Sequence, residues 1–144
     1  MALPTFEILV VDDNPDDVAL TCAAFKNSKL KVNLHVAEDG EQALDFLYQR
    51  GAFTAAPLPD LIFLDLNMPR KDGYEVLTEV KQSEKLKFIP IVVMTTSDAQ
   101  ADVIKSYNLG CNCFATKPVG FKAFCNVIKQ IEEFWLTVVK LPKQ

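Results

Sequence analysis

Leu61-Ile62-Phe63-Leu64-Asp65-Leu66-Asn67-Met68-Pro69 decides how this chain is read. Four large apolar residues in succession, bounded by Pro59-Asp60 and Met68-Pro69, predict a strand buried on both faces, as in the middle of a parallel sheet. The run ends in a carboxylate. Open parallel α/β sheets place their ligands beyond the carboxyl ends of the strands, so Asp65 stands where such a fold keeps its chemistry. On its own Asp65 reads equally well as a turn residue, because aspartate commonly follows a strand.

Working outward, Glu7-Ile8-Leu9-Val10-Val11 is a second apolar run, and it too ends in acids, Asp12-Asp13. Asn14-Pro15-Asp16-Asp17 then supplies a cap, a proline for the first helical position and two acids for the first turn. A helix to about Asn27 follows, half-burying Val18, Leu20, Cys22 and Phe25. Val32, Leu34 and Val36 alternate with Lys31, Asn33 and His35, which predicts an edge strand with His35 at the surface. Asp39-Gly40-Glu41 opens a helix with Ala43, Leu44, Leu47 and Tyr48 inward and Gly51 at its stop. Beyond the central strand, Asp72-Gly73 leads into a helix with Val76, Leu77 and Val80 on one face. Pro90 to Met94 predicts another buried strand, ending in Thr95-Thr96-Ser97. Asp98 to Leu109 reads as a helix with Val103, Ile104 and Tyr107 inward, closed by Gly110, and Cys113 to Thr116 as a last strand before Lys117-Pro118. Five βα repeats with right-handed crossovers predict a doubly wound (βα)5 three-layer sandwich around a parallel five-stranded sheet.

From Phe121 to about Val139 the apolar residues cover an arc of roughly 160° at helical spacing. Phe124, Ile128, Ile131, Trp135 and Val138 also follow a 4-3-4-3 spacing. We expect this helix to run past the sheet and to form a homodimer interface with Phe124, Ile128, Ile131, Phe134 and Trp135.

At 144 residues and 49% apolar, the chain suits one domain, residues 6–139, with no separate output domain. A net charge of −4 argues against nucleic acid or an anionic membrane as partner. No secretory signal or membrane-length apolar run is read, which predicts a cytoplasmic protein. Cys22, Cys111, Cys113 and Cys125 lack paired metal-binding spacing and are expected to be small core residues.

Together the strand ends assemble Asp12, Asp13 and Asp65 beside Thr95 and Lys117. Three carboxylates so close repel one another, and Mg²⁺ is the natural counter-charge for an all-oxygen site. Asp65 would then be a positioned nucleophile, with the Lys117 ammonium and Thr95 hydroxyl donating to the oxygens of an incoming phosphoryl group.

With Asp12-Asp13, Asp65 within D-L-N-M-P, Thr95 after I-V-V-M, and Lys117-Pro118, residues 6 to 133 resemble the receiver domains of two-component response regulators. The resemblance implies a flavodoxin-like fold with strand order 2-1-3-4-5. It implies phosphoryl transfer from a sensor histidine kinase to Asp65, in a phospho-accepting signalling module rather than an enzyme. It further implies Mg²⁺ held by Asp12, Asp13, Asp65 and the backbone carbonyl of Asn67, a cis Lys117-Pro118 bond, and a switch pairing Thr95 with Phe114. Thr96 stands where the family usually has a small residue, and Phe114 lacks a tyrosine's hydroxyl, so switching would rest on packing. The loop before the central strand, the T-T-S after the fourth and the ending Glu132 to Leu136 resemble receivers paired with cyanobacterial phytochromes. Three other readings compete. A haloacid dehalogenase-type phosphatase would carry D-x-D on its first strand. A flavodoxin-type electron carrier would need a phosphate loop where Asp12-Asp13-Asn14-Pro15 stands. An unphosphorylated pseudo-receiver would act as a binding module.

Overall fold

The computed structural model describes residues 5–26, 30–138 and 141–142. Five parallel strands, β1 (Thr5–Val11), β2 (Lys31–Ala37), β3 (Leu61–Leu64), β4 (Ile91–Thr95) and β5 (Cys113–Thr116), form one sheet of order β2-β1-β3-β4-β5. The helices are α1 (Pro15–Lys26), α2 (Gly40–Leu47), α3 (Gly73–Gln82), α4 (Gln100–Asn108) and α5 (Phe121–Glu133). A π-helical turn, Phe134–Val138, continues α5. None of the described helices is long and apolar enough to cross a membrane.

The apolar runs that predicted buried strands split by parity. Ile8, Val10, Leu61, Phe63, Val92 and Met94 pack with Phe25 of α1 and with Phe124, Ile128 and Ile131 of α5. Leu9, Val11, Ile62, Leu64, Ile91 and Val93 pack on the other face with α2 and α3. Because side chains alternate along a strand, only continuous apolar runs can feed two such layers. The register is Ile8 to Leu61 through Val11 to Leu64, and Ile62 to Ile91 through Leu64 to Val93. That register puts the carboxyl ends of β1 and β3 side by side.

Several expectations are corrected. Phe124, Ile128 and Ile131 are 2, 1 and 9% exposed, so they belong to the core layer rather than to an interface. A 3.6-residue periodicity shows that a face is apolar but not which neighbour covers it. The π turn also breaks the 4-3-4-3 register: Phe134 is 52% exposed, while Trp135 leans on it edge-to-face and packs partly against the core. Val139 lies outside the described residues, as does Asn27. In α4 the predicted inward residues Ile104 and Tyr107 are instead half-exposed, with only Ser106 buried.

His35 is half-buried rather than at the surface. It aligns with Leu9, its ring lies 5.1 Å from Phe46, and its Nε2 is 3.2 Å from Glu7 Oε2. Its counterpart in the alternation, Val36, is the exposed one, at 37%. Of the cysteines only Cys111 is buried; all four are free. Helix α2 ends at Leu47, before Gly51, which opens a short 3₁₀ turn at φ +59°.

Candidate functional site

Each acid reaches the carboxyl edge of the sheet for a local reason. The backbone N–H groups of Asp12 and Asp65 donate to Ala37 O and Val11 O, at 3.0 and 2.9 Å, extending the β1–β2 and β1–β3 ladders by one residue. Asn14 caps α1, its Oδ1 accepting from the N–H groups of Asp16 and Asp17. Asp12 Oδ1 in turn accepts from Asn14 N–H at 3.0 Å. The Leu66 N–H donates to Asp65 Oδ1 at 2.8 Å, fixing the second carboxylate.

Helix α3 starts directly behind Asp65. Asp72 and Glu75 form a reciprocal capping box, a D-x-x-E signal present in the sequence. A Cβ on Gly73 would collide with the carbonyl of Asp65, and one on Gly40 with the carbonyl of Lys71. The N–H groups of Gly73 and Gly40 donate to Leu66 O and Lys71 O at 2.9 and 3.1 Å.

Asp12, Asp13 and Asp65 each offer an oxygen, and these oxygens lie within 4.8 Å of one another. Lys117 reaches over from the end of β5, its backbone N–H donating to Thr95 O at 2.7 Å. Its ammonium donates to Asp12 Oδ2 at 2.8 Å, to Asp17 Oδ2 at 2.9 Å and to Asp65 Oδ2 at 3.4 Å. The Lys117 side chain is 7% exposed. Burial alone would lower its pKa, but the hydrogen bonds to Asp12 and Asp17 and the charges of Asp12 and Asp65 more than reverse this and leave it raised. Burial pushes the Asp12 carboxyl above its ordinary value, against opposing hydrogen bonds from Lys117 and Asn14. One ammonium therefore does not neutralise the site. A clustered, oxygen-only, over-negative donor set fits a hard divalent cation.

Thr95 lies at the end of β4, fully buried, and its Oγ1 has no hydrogen-bond partner among the described residues. Phe114 is half-buried against the α2–α3 layer. Asn67 is exposed, two residues past Asp65. The expected cis Lys117-Pro118 bond is not found: among the described residues no peptide bond is cis. Trans is the lower-energy isomer by about 0.5–1 kcal/mol, and the following Val119 is 98% exposed.

Two features escaped the sequence reading. Asp17, read only as a first-turn acid, touches Lys117. Tyr74 of α3 donates to Asp102 Oδ1, and Ser97 donates to Asp102 Oδ2, each at 2.5 Å, tying α3 to the loop after β4. Burial first, then the Asp102 hydrogen bond, pushes the Tyr74 phenol up to about 12. A larger hollow of about 380 Å³ lies at the opposite, amino ends of the strands, lined by Glu7, Asp60 and Phe88 among others. Chemistry rather than size therefore marks the site.

Residues 8–129 match the family model of the response regulator receiver domain. The chain belongs to the response regulator receiver family. It is 45% identical over 139 residues to the response regulator Rcp1 of Synechocystis sp., covering 96% of this chain and 95% of that one. Among solved structures it is similar to a phosphorylated cyanobacterial phytochrome response regulator, RcpA, with a TM-score of 0.94 and 41% identity over 97% of this receiver and 100% of that chain. It is also similar to the Mn²⁺-bound form of Rcp1, with a TM-score of 0.91 and 45% identity over 96 and 99% of the two chains. The fold and strand order of these neighbours agree with the flavodoxin-like arrangement described above.

Proposed function

We propose that this receiver takes a phosphoryl group from the phosphohistidine of a sensor histidine kinase onto Asp65, in a Mg²⁺-dependent reaction, and thereby switches a protein-interaction surface. One observation carries the reading: the Asp12–Asp13–Asp65 oxygen cluster lies beside a buried lysine 3.4 Å from Asp65 Oδ2. An Asp65 oxygen forms the new bond to phosphorus while the bond from phosphorus to the imidazole nitrogen breaks, its electron pair staying on the imidazole. Asp12, Asp13, Asp65 and the Asn67 carbonyl would hold the cation, which when bound supplies charge neutralisation at the phosphoryl oxygens. Lys117 donates to one of those oxygens. The Thr95 hydroxyl, with no partner among the described residues, has a donor to give to another, and its shift toward the phosphoryl group would open space for Phe114. This is a phospho-accepting module capable of slow self-dephosphorylation. The likeness to RcpA and Rcp1 makes a phytochrome kinase the proposed donor.

Incubation with MgCl₂ and acetyl phosphate should add one hydroxylamine-labile phosphate by intact mass, and Asp65→Asn or excess EDTA should abolish it. An equal adduct on Asp65→Asn would defeat the assignment. We further propose that two copies associate through the exposed Phe134 beside Trp135. Phe134→Glu should shift sedimentation toward monomer, and an unchanged profile would dismiss that surface.

A further inference from the structure

An ammonium has three protons to give, and Lys117 gives them unequally. The contacts to Asp12 and Asp17 are short, 2.8 and 2.9 Å, and the one to Asp65 is long, 3.4 Å. Two bonds locate the ammonium while the third points loosely at the phosphoacceptor. Asp12 has a competing claim on it, because its carboxylate also belongs to the cluster that would hold a cation. Asp17 is not in that cluster. Its carboxylate stays available to Lys117 whatever the other acids bind.

Asp17 is also held firmly. Its N–H donates to the Asn14 cap at 3.2 Å, and its carbonyl accepts from Thr21 Oγ1 at 2.9 Å. The side chain is 23% exposed, against 7% for the lysine it meets. An acid in the first turn of a helix is ordinarily accounted for by the helix dipole. That account does not explain why this one turns its carboxylate onto a buried lysine from the far end of the chain.

We propose that Asp17 is a positioning residue for phosphoryl transfer: it holds the Lys117 ammonium back from Asp65, so that a donor is aimed at the phosphoryl oxygen without capping the nucleophile. The proposal rests on the phosphoacceptor reading given above. Without the Asp17 carboxylate, the freed donor closes onto Asp65, pairs the attacking oxygen and is misplaced for the transferred group.

The test is a set of phosphorylation rates with acetyl phosphate over a Mg²⁺ titration, read by intact mass, for the parent, Asp17→Asn, Asp17→Ala, Lys117→Ala and the Asp17→Ala/Lys117→Ala double variant. Urea unfolding and circular dichroism verify that each variant folds. Asp17→Ala should lower the Mg²⁺-saturated rate about tenfold or more, the scale of one hydrogen bond to a charged group. Asp17→Asn, which keeps an acceptor but not the charge, should fall between. The half-saturating Mg²⁺ concentration should stay within about twofold, and in the Lys117→Ala background the Asp17 substitution should add no further loss, because the pair acts as a unit. An equal loss in both backgrounds would mark Asp17 as merely structural and overturn the proposal. So would a large shift in half-saturating Mg²⁺, or an Asp17→Ala rate that is unchanged or faster while the parent is phosphorylated. A parent without adduct overturns the phosphoacceptor reading itself, and the two failures are thereby distinguished.

Discussion

Lys117 and Lys81 sit toward opposite ends of the sheet, and each directs its ammonium at three oxygens. Lys117 meets three carboxylates. Lys81, in the last turn of α3, meets neutral acceptors: Asn112 Oδ1 at 2.9 Å, Ile89 O at 3.1 Å and Lys87 O at 3.5 Å. Burial pulls both pKa values down, but only Lys117 ends raised, because only its acceptors carry charge. The contrast teaches that a hydrogen-bond count does not separate a lysine held by neutral dipoles from one held by carboxylates. At Lys81 the dipoles are satisfied: Asn112 Oδ1 also accepts from Ile91 N–H at 2.9 Å and so ties β4 to the approach to β5. At Lys117 the acids outnumber the cation, and the leftover negative charge suits a bound cation.

Exchanging each lysine for methionine should separate the two ends most sharply. Lys117→Met should slow phosphorylation by acetyl phosphate about 100-fold or more, the scale of losing one transition-state donor, while Lys81→Met leaves the rate within about twofold. In urea, Lys81→Met should cost about 1–3 kcal/mol for the orphaned acceptors. Slow phosphorylation of Lys81→Met with an unimpaired Lys117→Met would break the comparison.

Metal dependence is the next effect in size. MgCl₂ at one hundred times its Kd should stabilise the parent by about 2.7 kcal/mol. Lys81→Met should show the same increment in urea unfolding, and Asp13→Asn a much smaller one. Equal increments in all three proteins would place the cation elsewhere.

Alkaline titration gives the smallest effect, with opposite signs at the two ends. Lys117, raised in the fold, contributes stability that is complete below 10.5 and is lost as pH rises through its folded pKa. Lys81, lowered in the fold, contributes stability that is present above 10.5 and is lost as pH falls through its folded pKa. In EDTA, the parent's advantage over Lys117→Met should shrink above 10.5, whereas its advantage over Lys81→Met should grow as pH climbs toward 10.5. Parallel slopes in denaturation series would contradict the assigned environments.

Much of this contrast was legible in the residues alone. Asp12, Asp13, Asp65, Thr95 and Lys117 could be placed because β-branched and apolar runs announce buried parallel strands, and whatever follows such a run must lie at one edge. Asp17 could not, since its role depends on which way a first-turn side chain leans and on a lysine 100 residues away. Phe124, Ile128 and Ile131 were read as an interface, and Ile104 and Tyr107 as inward, for one common reason. Periodicity reports an apolar stripe, while the partner that covers it is decided by tertiary packing. The bond before Pro118 was expected to be cis from likeness to a family, and no cis bond is found among the described residues.

Gly73 and Gly40 leave no slack behind Asp65: the segment from 66 to 73 is tied end to end by the Gly73–Leu66 bond and held by Gly40 at Lys71. Under the function proposed above, such a segment acts as an abutment, and new charge on Asp65 cannot be relieved by yielding on that flank. The compliant flank is the other one, where a buried hydroxyl has no partner among the described residues and α4 keeps little of its surface from water. Bracing one wall of a small site thus gives its response a direction, through nothing more than two absent methyl groups.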